Sequence, residues 1–284
     1  MNILLWILQA ILNSITSILW KKSVDVSNVS KGLFLFYPKL VGLTFVLVFM
    51  VLGLVNYDIF FDIKTLFIVT IVILIWLWTW FIKQAILKEN KVSSIIPFEN
   101  LAPLFTILLW YFLFHKASIY SFVISIIAVV LVILFSIDYK TFRFPKKVSL
   151  LFLHQWLLSI EMLLIAYALN SYNWASIAAV DVFVWSIILL LFLIKLSELK
   201  QIHKQKKEFY IFRFWAGYAW WFAYIITLFL ISNLWIVLST LLGFLTLGIT
   251  LILWYFFLND KPNKKDVVLA VLITILVWLW MYFK

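Results

Sequence analysis

The chain has 284 residues, of which 66% are hydrophobic and only 12% charged, and its 23 lysines and arginines outnumber its 12 acids for a formal net charge of +11. An ordinary soluble domain is about half apolar and a quarter charged, so a mean hydropathy of +1.12 excludes a water-soluble fold and points to a bilayer. The absence of cysteine excludes disulfides, thiolate catalysis and Cys-ligated metals, and His115, His154 and His203 are too scattered to suggest a metal site or cofactor.

A hydrocarbon core of about 30 Å needs about 20 apolar residues in helical form, with every backbone polar group satisfied inside the segment. Ten stretches meet that need, near residues 2–20, 33–55, 65–87, 93–114, 118–137, 148–169, 174–194, 209–231, 235–258 and 266–283. The first has no basic residue before it and no small-residue cleavage site before Lys21 and Lys22, so it reads as a retained helix. Gln9, Asn13 and Thr16 recur along it at intervals of four and three, on one stripe that is expected to face the bundle interior.

Ionisable residues inside spans are costly, and each is a functional candidate. Lys39, six residues into the second span, either snorkels to the interface or serves the interior. Trp76 and Trp80 in the third span join Trp220, Trp221 and Tyr224 in the eighth as a candidate aromatic cage for an organic cation. In the fourth span Glu99 and Asn100 stand within Pro97-Phe-Glu-Asn-Leu-Ala-Pro103. Proline cannot donate to the carbonyl four residues back, so Pro103 frees that of Glu99 and places a carboxylate beside an open backbone acceptor. The sixth span carries Gln155 and Ser159, and on an adjoining stripe His154 and Glu161, the last a candidate proton carrier near mid-span. Asp181 of the seventh span takes the place in the second half of the chain that Lys39 takes in the first, and the two are expected to pair if the halves are related by a pseudo-two-fold axis. Arg213, one turn into the eighth span, is expected to snorkel beside its basic loop. Ser239, Thr240, Gly243, Thr246 and Gly248 make the ninth span irregular or closely packed.

Thr106-Ile-Leu-Leu-Trp-Tyr-Phe112 reappears as Thr250-Leu-Ile-Leu-Trp-Tyr-Phe256, about half the chain further on. The repeat divides the chain into residues 1–144 and 145–284, each of five spans. An odd number of spans makes the second half enter from the opposite side, so the fold class read here is an all-α membrane protein of two inverted-topology five-helix repeats. Basic residues cluster after spans one, three, five, seven and nine, among them Lys21, Lys22, Lys88, Lys91, Lys146, Lys147, Lys206, Lys207, Lys264 and Lys265. The other side holds only Lys64, Lys116 and Lys284. Basic loops stay cytoplasmic, which puts both termini outside the cytoplasm in a multi-pass plasma-membrane protein. The net charge is largely this asymmetry, and none of the loops is long enough for a nucleic-acid surface.

Five-plus-five spans, the fourth-span sequence Val92-Ser-Ser-Ile-Ile-Pro97-Phe-Glu-Asn-Leu-Ala-Pro103-Leu-Phe-Thr106 and the repeated segment before each last span resemble the EamA branch of the drug/metabolite transporter superfamily. The resemblance implies a central cavity lined by spans one to four and six to nine, with five and ten peripheral, and alternating access of small metabolites, amino acids or drugs. The chain departs from the family in having His115-Lys116-Ala117 where an acidic residue usually follows the fourth span, and in its loop charges, since the family usually keeps both termini cytoplasmic.

The expectation is a secondary transporter, not an enzyme, for a small polar or cationic metabolite, with proton coupling. Gln9, Asn13, Trp80, Glu99, Asn100, Glu161, Asp181, Trp221 and Tyr224 are its candidate substrate-binding residues. Three acids against two bases within the spans favour a cationic or zwitterionic substrate. The alternative is a membrane-embedded flippase or enzyme acting on lipid-linked substrates, with His154 as the base; no His/Asp/Ser cluster of recognisable spacing supports the enzyme.

Overall fold

A computed structural model describes residues 2–25, 31–89, 101–114, 118–136, 146–193 and 206–233, with scattered positions between 249 and 276. Among them the chain is helical and free of strands. In order it forms α1 (Asn2–Asp25), α2 (Lys31–Val51), a 3₁₀ turn (Tyr57–Phe60), α3 (Ile63–Glu89), α4 (Leu101–Phe114), α5 (Ile119–Ser136), α6 (Lys146–Leu169), α7 (Trp174–Ile188) and α8 (Lys207–Asn233). Helices thus cover all or part of each of the first eight expected stretches, in sequence order. Spans nine and ten, with Ser239 to Gly248, lie for the most part outside the described residues, as do Pro97, Glu99, Asn100 and His115 to Ala117.

Among the described residues, five segments are long and apolar enough to cross a membrane: Leu4–Ser23, Ile63–Ile82, Ser149–Leu169, Trp174–Leu191 and Lys207–Asn233. Phe36–Val51, Leu104–Leu113 and Phe122–Leu131 are shorter apolar helices. The seventh span does not run as a straight α-helix to residue 194. It widens into a π-helical turn at Leu189–Leu193, four residues past Trp185.

The described helices belong to two compact units, Met1–Ile73 with Tyr167–Asn233, and Leu74–Ala166 with Leu234–Lys284. Each unit takes chain from both sequence halves. In the first, α8 packs along α1 and crosses α2, and α2 also meets α7. The α2–α8 crossing is close because glycine is used on both sides. A Cβ on Gly217 would stand 3.1 Å from Val41 Cγ2 and 3.2 Å from the Pro38 Cα, and one on Gly42 would collide with the Trp221 indole.

The non-helical link between α2 and α3 is tied down by side-chain caps. Asn173 Oδ1 accepts from Ser176 N at 2.9 Å at the start of α7, while its Nδ2 donates to the Leu54 carbonyl at 2.9 Å. Ser176 Oγ accepts from Asn56 N at 2.8 Å, so α7 and the link hold each other. Asp62 caps α3, accepting from Lys64 N at 3.1 Å, Thr65 N at 3.3 Å and the Thr65 hydroxyl at 2.7 Å. The Thr65 hydroxyl bond is the main reason that the Asp62 carboxyl lies below its ordinary value. A lowered native value adds stability above the unfolded aspartate value of about 3.9, and that stability fades as pH falls through the native value. The melting temperature of Asp62→Ala is therefore expected below wild type at neutral pH, with the gap closing in acid. A gap independent of pH would assign the loss to packing.

In the second unit α4 packs on α5, where Tyr111 stacks on Phe122 with centroids 4.5 Å apart. Phe105 of α4 meets Phe152 at 6.2 Å and Trp156 at 5.4 Å on α6. Ser159 Oγ donates to the Ala102 carbonyl at 2.8 Å, which fixes the start of α4 against mid-α6.

Candidate functional site

The first unit gathers its charges and rings along one stripe of α8. Arg213, Gly217, Trp220, Tyr224 and Thr227 recur at intervals of four, three, four and three, so they share a face. Lys39 from α2 and Asp181 from α7 meet there. Lys39 Nζ lies 3.1 Å from Asp181 Oδ2, with the two side chains 5% and 7% exposed. The unlike charges pair as their corresponding places in the two sequence halves lead one to expect, and Lys39 does not snorkel. A buried ammonium in an apolar setting must recover its lost hydration, and three indoles contribute. Nζ is 4.6 Å from the ring centroid of Trp185, 4.7 Å from that of Trp220 and 5.2 Å from that of Trp221.

The rings are held by their own packing. Trp221 donates from Nε1 to the Pro38 carbonyl at 2.6 Å and is fully buried. Trp220 stacks on Tyr224 at 5.4 Å with an interplanar angle of 3°. Tyr224, Trp220 and Thr227 remain partly exposed, so the stripe is sealed at Trp221 and open further along. Trp220, Trp221 and Tyr224 are thus clustered, with the chain's own Lys39 over Trp220 and Trp221, while Trp76 and Trp80, the other members of the aromatic reading, belong to the second unit. Trp185 was missed by the sequence reading. It stands four residues after Asp181, on the same helical stripe, and that spacing was the available signal.

Seven residues beyond Trp220, about 10 Å along the helix, Gln9 of α1 donates from Nε2 to the Thr227 hydroxyl, which itself donates to the Ala223 carbonyl at 2.8 Å. The Gln9 Oε1 is buried and accepts no hydrogen bond among the described residues. An orphaned buried carbonyl costs free energy unless a ligand or water meets it. Of the first-span stripe, Thr16 is buried and back-bonds to the Leu12 carbonyl at 2.8 Å, whereas Asn13 is exposed. α1 thus turns Gln9 and Thr16 into the unit and leaves Asn13 at its surface.

Arg213 also departs from expectation. It is 0% exposed, and its guanidinium carbon lies 5.5 Å from the Trp20 ring centroid, so the side chain packs within the unit and does not reach its surface. A flat, delocalised guanidinium stacks on an indole where an ammonium of similar reach would demand water.

The second unit holds Trp80 and Glu161, 3% and 9% exposed. On α6 His154, Gln155 and Ser159 are buried with Glu161. Gln155 Nε2 donates to His154 Nδ1 at 2.8 Å, and Gln155 Oε1 accepts no hydrogen bond among the described residues. The polar residues of the sixth span thus face the interior as their spacing implied.

The class these observations define is an all-helical membrane protein that sequesters an ion pair and further polar side chains among its apolar helices. No family model matches the chain, and no curated protein is similar to it. A solved structure described only as "Crystal structure of protein" is similar in fold, with a TM-score of 0.55 at 14% identity, covering 97% of this chain and 94% of that chain.

Proposed function

We propose that the chain is a secondary transporter of a small zwitterionic or cationic metabolite, built as ten spans in two inverted repeats and working by alternating access. The observation that carries this reading is the Lys39–Asp181 pair at 3.1 Å, ringed by indoles within helices long or apolar enough for lipid. Buried charge is expensive in a bilayer, and in membrane helices it marks substrate or ion pathways. Lys39 and Asp181 present one fixed charge of each sign, so a zwitterion's carboxylate and ammonium each find a partner when the pair opens. Trp220 and Tyr224 offer stacking surface beside them, and the Gln9 Oε1 offers an acceptor further along the same stripe. Exchange of an internal ion pair for a substrate ion pair keeps every charge compensated, which suits a carrier that must both load and release.

Supporting this reading are the repeat centred on Thr106 and Thr250, the resemblance of the fourth span to EamA-type drug/metabolite transporters, and loop charges that set the basic side in the cytoplasm with both termini outside. In this scheme Glu161 carries a coupling proton, and no cofactor or enzymatic step takes part.

Purified protein in liposomes is expected to take up labelled small zwitterions or cations saturably. Trp220→Ala is expected to raise the half-saturating concentration about tenfold, as loss of one cation–π and stacking partner implies. Glu161→Gln is expected to abolish uptake driven by a proton gradient while sparing solute exchange. Scrambling of labelled phospholipid with no solute uptake would replace the carrier by a flippase. Gradient-driven uptake undiminished in Glu161→Gln would remove its assigned role.

A further inference from the structure

A second feature of the first unit has no part in that scheme. α1, α2 and α8 enclose an apolar groove of about 1010 Å³, lined on α1 by Leu12, Ile15 and Leu19 and on α8 by Tyr210, Phe214 and Phe222 among others. Its walls are open to the surroundings: Ile15 is 36%, Phe214 45% and Phe222 49% exposed. From Tyr210 to Phe222 it follows α8 for about 18 Å, close to the roughly 15 Å of one leaflet's hydrocarbon.

The charges at its ends are unequal. On α1 the lining positions 12, 15 and 19 continue at the same spacing to Lys22, and on α8 positions 222, 218, 214 and 211 run back at intervals of four, four and three, then four more, to Lys207. Lys206 adjoins it. Both stripes therefore finish in a lysine at the same end of an antiparallel helix pair. Tyr37 and Tyr210, 5.8 Å apart, sit just inside that end, at the depth where amphipathic rings mark a membrane interface. Among the described residues that line it, the opposite end of the groove, at Leu12 and Phe222, carries no charge.

We propose that this groove is a binding site for one anionic phospholipid, with an acyl chain along α1 and α8 and the headgroup phosphate at Lys22 and Lys207. Apolar length of one leaflet with net positive charge at its headgroup end is the complement of such a lipid, and a zwitterionic lipid gains little from the lysines. The inference is independent of what the protein transports.

The test is native mass spectrometry of the purified full chain in micelles containing equal phosphatidylglycerol and phosphatidylcholine. One phosphatidylglycerol is expected to be retained, preferred about thirtyfold for two lysines. Lys22→Gln with Lys207→Gln is expected to remove the preference with the melting temperature in lipid-free detergent unchanged. Ile15→Trp, which fills the groove from its exposed rim, is expected to lower retention of both lipids. Equal retention of the two lipids by wild type, or a preference that survives both the lysine pair and Ile15→Trp, would overturn the proposal. So would a dimer that Ile15→Trp converts to monomer, since the groove would then belong to a second copy of the chain.

Discussion

Lys39→Met is expected to lower the stability of the purified protein by about 3–5 kcal/mol, the cost of stranding one member of a buried ion pair. Asp181→Ala is expected to cost less, for a reason specific to this site. Without Asp181, the Lys39 ammonium still faces the three indoles at 4.6, 4.7 and 5.2 Å. Without Lys39, the Asp181 carboxylate loses its one ion pair among the described residues while its side chain stays only 7% exposed. The double variant Lys39→Met with Asp181→Leu removes both charges and is expected to recover most of the loss, because apolar groups of similar volume replace a buried pair at little cost. Melting temperatures of the four proteins in one detergent measure this cycle. A double variant as unstable as the worse single would show that packing, not stranded charge, sets the penalty. The same double variant separates stability from transport: folded but unable to take up substrate if the pair serves binding, folded and active if the pair is only a tether.

Gly42→Ala is the second change of large expected effect. An added Cβ would lie 2.3 Å from both Cε2 and Cζ2 of Trp221 and 2.6 Å from its Nε1. Ordinary contact needs more than a further ångström, and the indole cannot easily provide it. Its Nε1 is bound to the Pro38 carbonyl at 2.6 Å, and its ring stacks on Phe45 with centroids 6.4 Å apart. Overpacking of this kind costs about 1–3 kcal/mol and sometimes more. Because Trp221 also lies over the Lys39 ammonium, substrate uptake is expected to fall with stability. Trp221→Phe in the Gly42→Ala background provides a smaller ring and is expected to restore part of the melting temperature. Strict additivity of the two changes would dismiss the clash as the cause.

The two predictions probe features that differ in how far the sequence exposes them. The corresponding places of Lys39 and Asp181 in the two halves are visible in a string of letters, and so is the polar spacing on α6 that buries His154, Gln155, Ser159 and Glu161. Those signals work because charge and hydrogen-bonding groups are costly in lipid, so their mere presence in a span demands an inward partner. Arg213 misled for the same reason turned around. Next to a lysine-rich loop, snorkelling is the cheaper outcome for an isolated helix, and burial against neighbouring helices, with the indole of Trp20 among the contacts, reverses the preference. Asn13 likewise shares the spacing of Gln9 and Thr16, yet the packing of α1 on α8 leaves it exposed.

By itself, then, the sequence determined the solvent and the elements: ten apolar stretches, the first eight of which are helical in all or part, in the expected order, with a short list of residues too polar to face lipid. Length and hydropathy suffice for that, because a bilayer penalises every unpaired backbone group whatever the side chains beside it. The tertiary structure decided which of those residues meet. Lys39 lies among the indoles of Trp185, Trp220 and Trp221, and Gly42 admits the Trp221 ring. These are contacts between helices from opposite halves of the chain, and spacing along one helix carries no information about the face that a distant helix will offer.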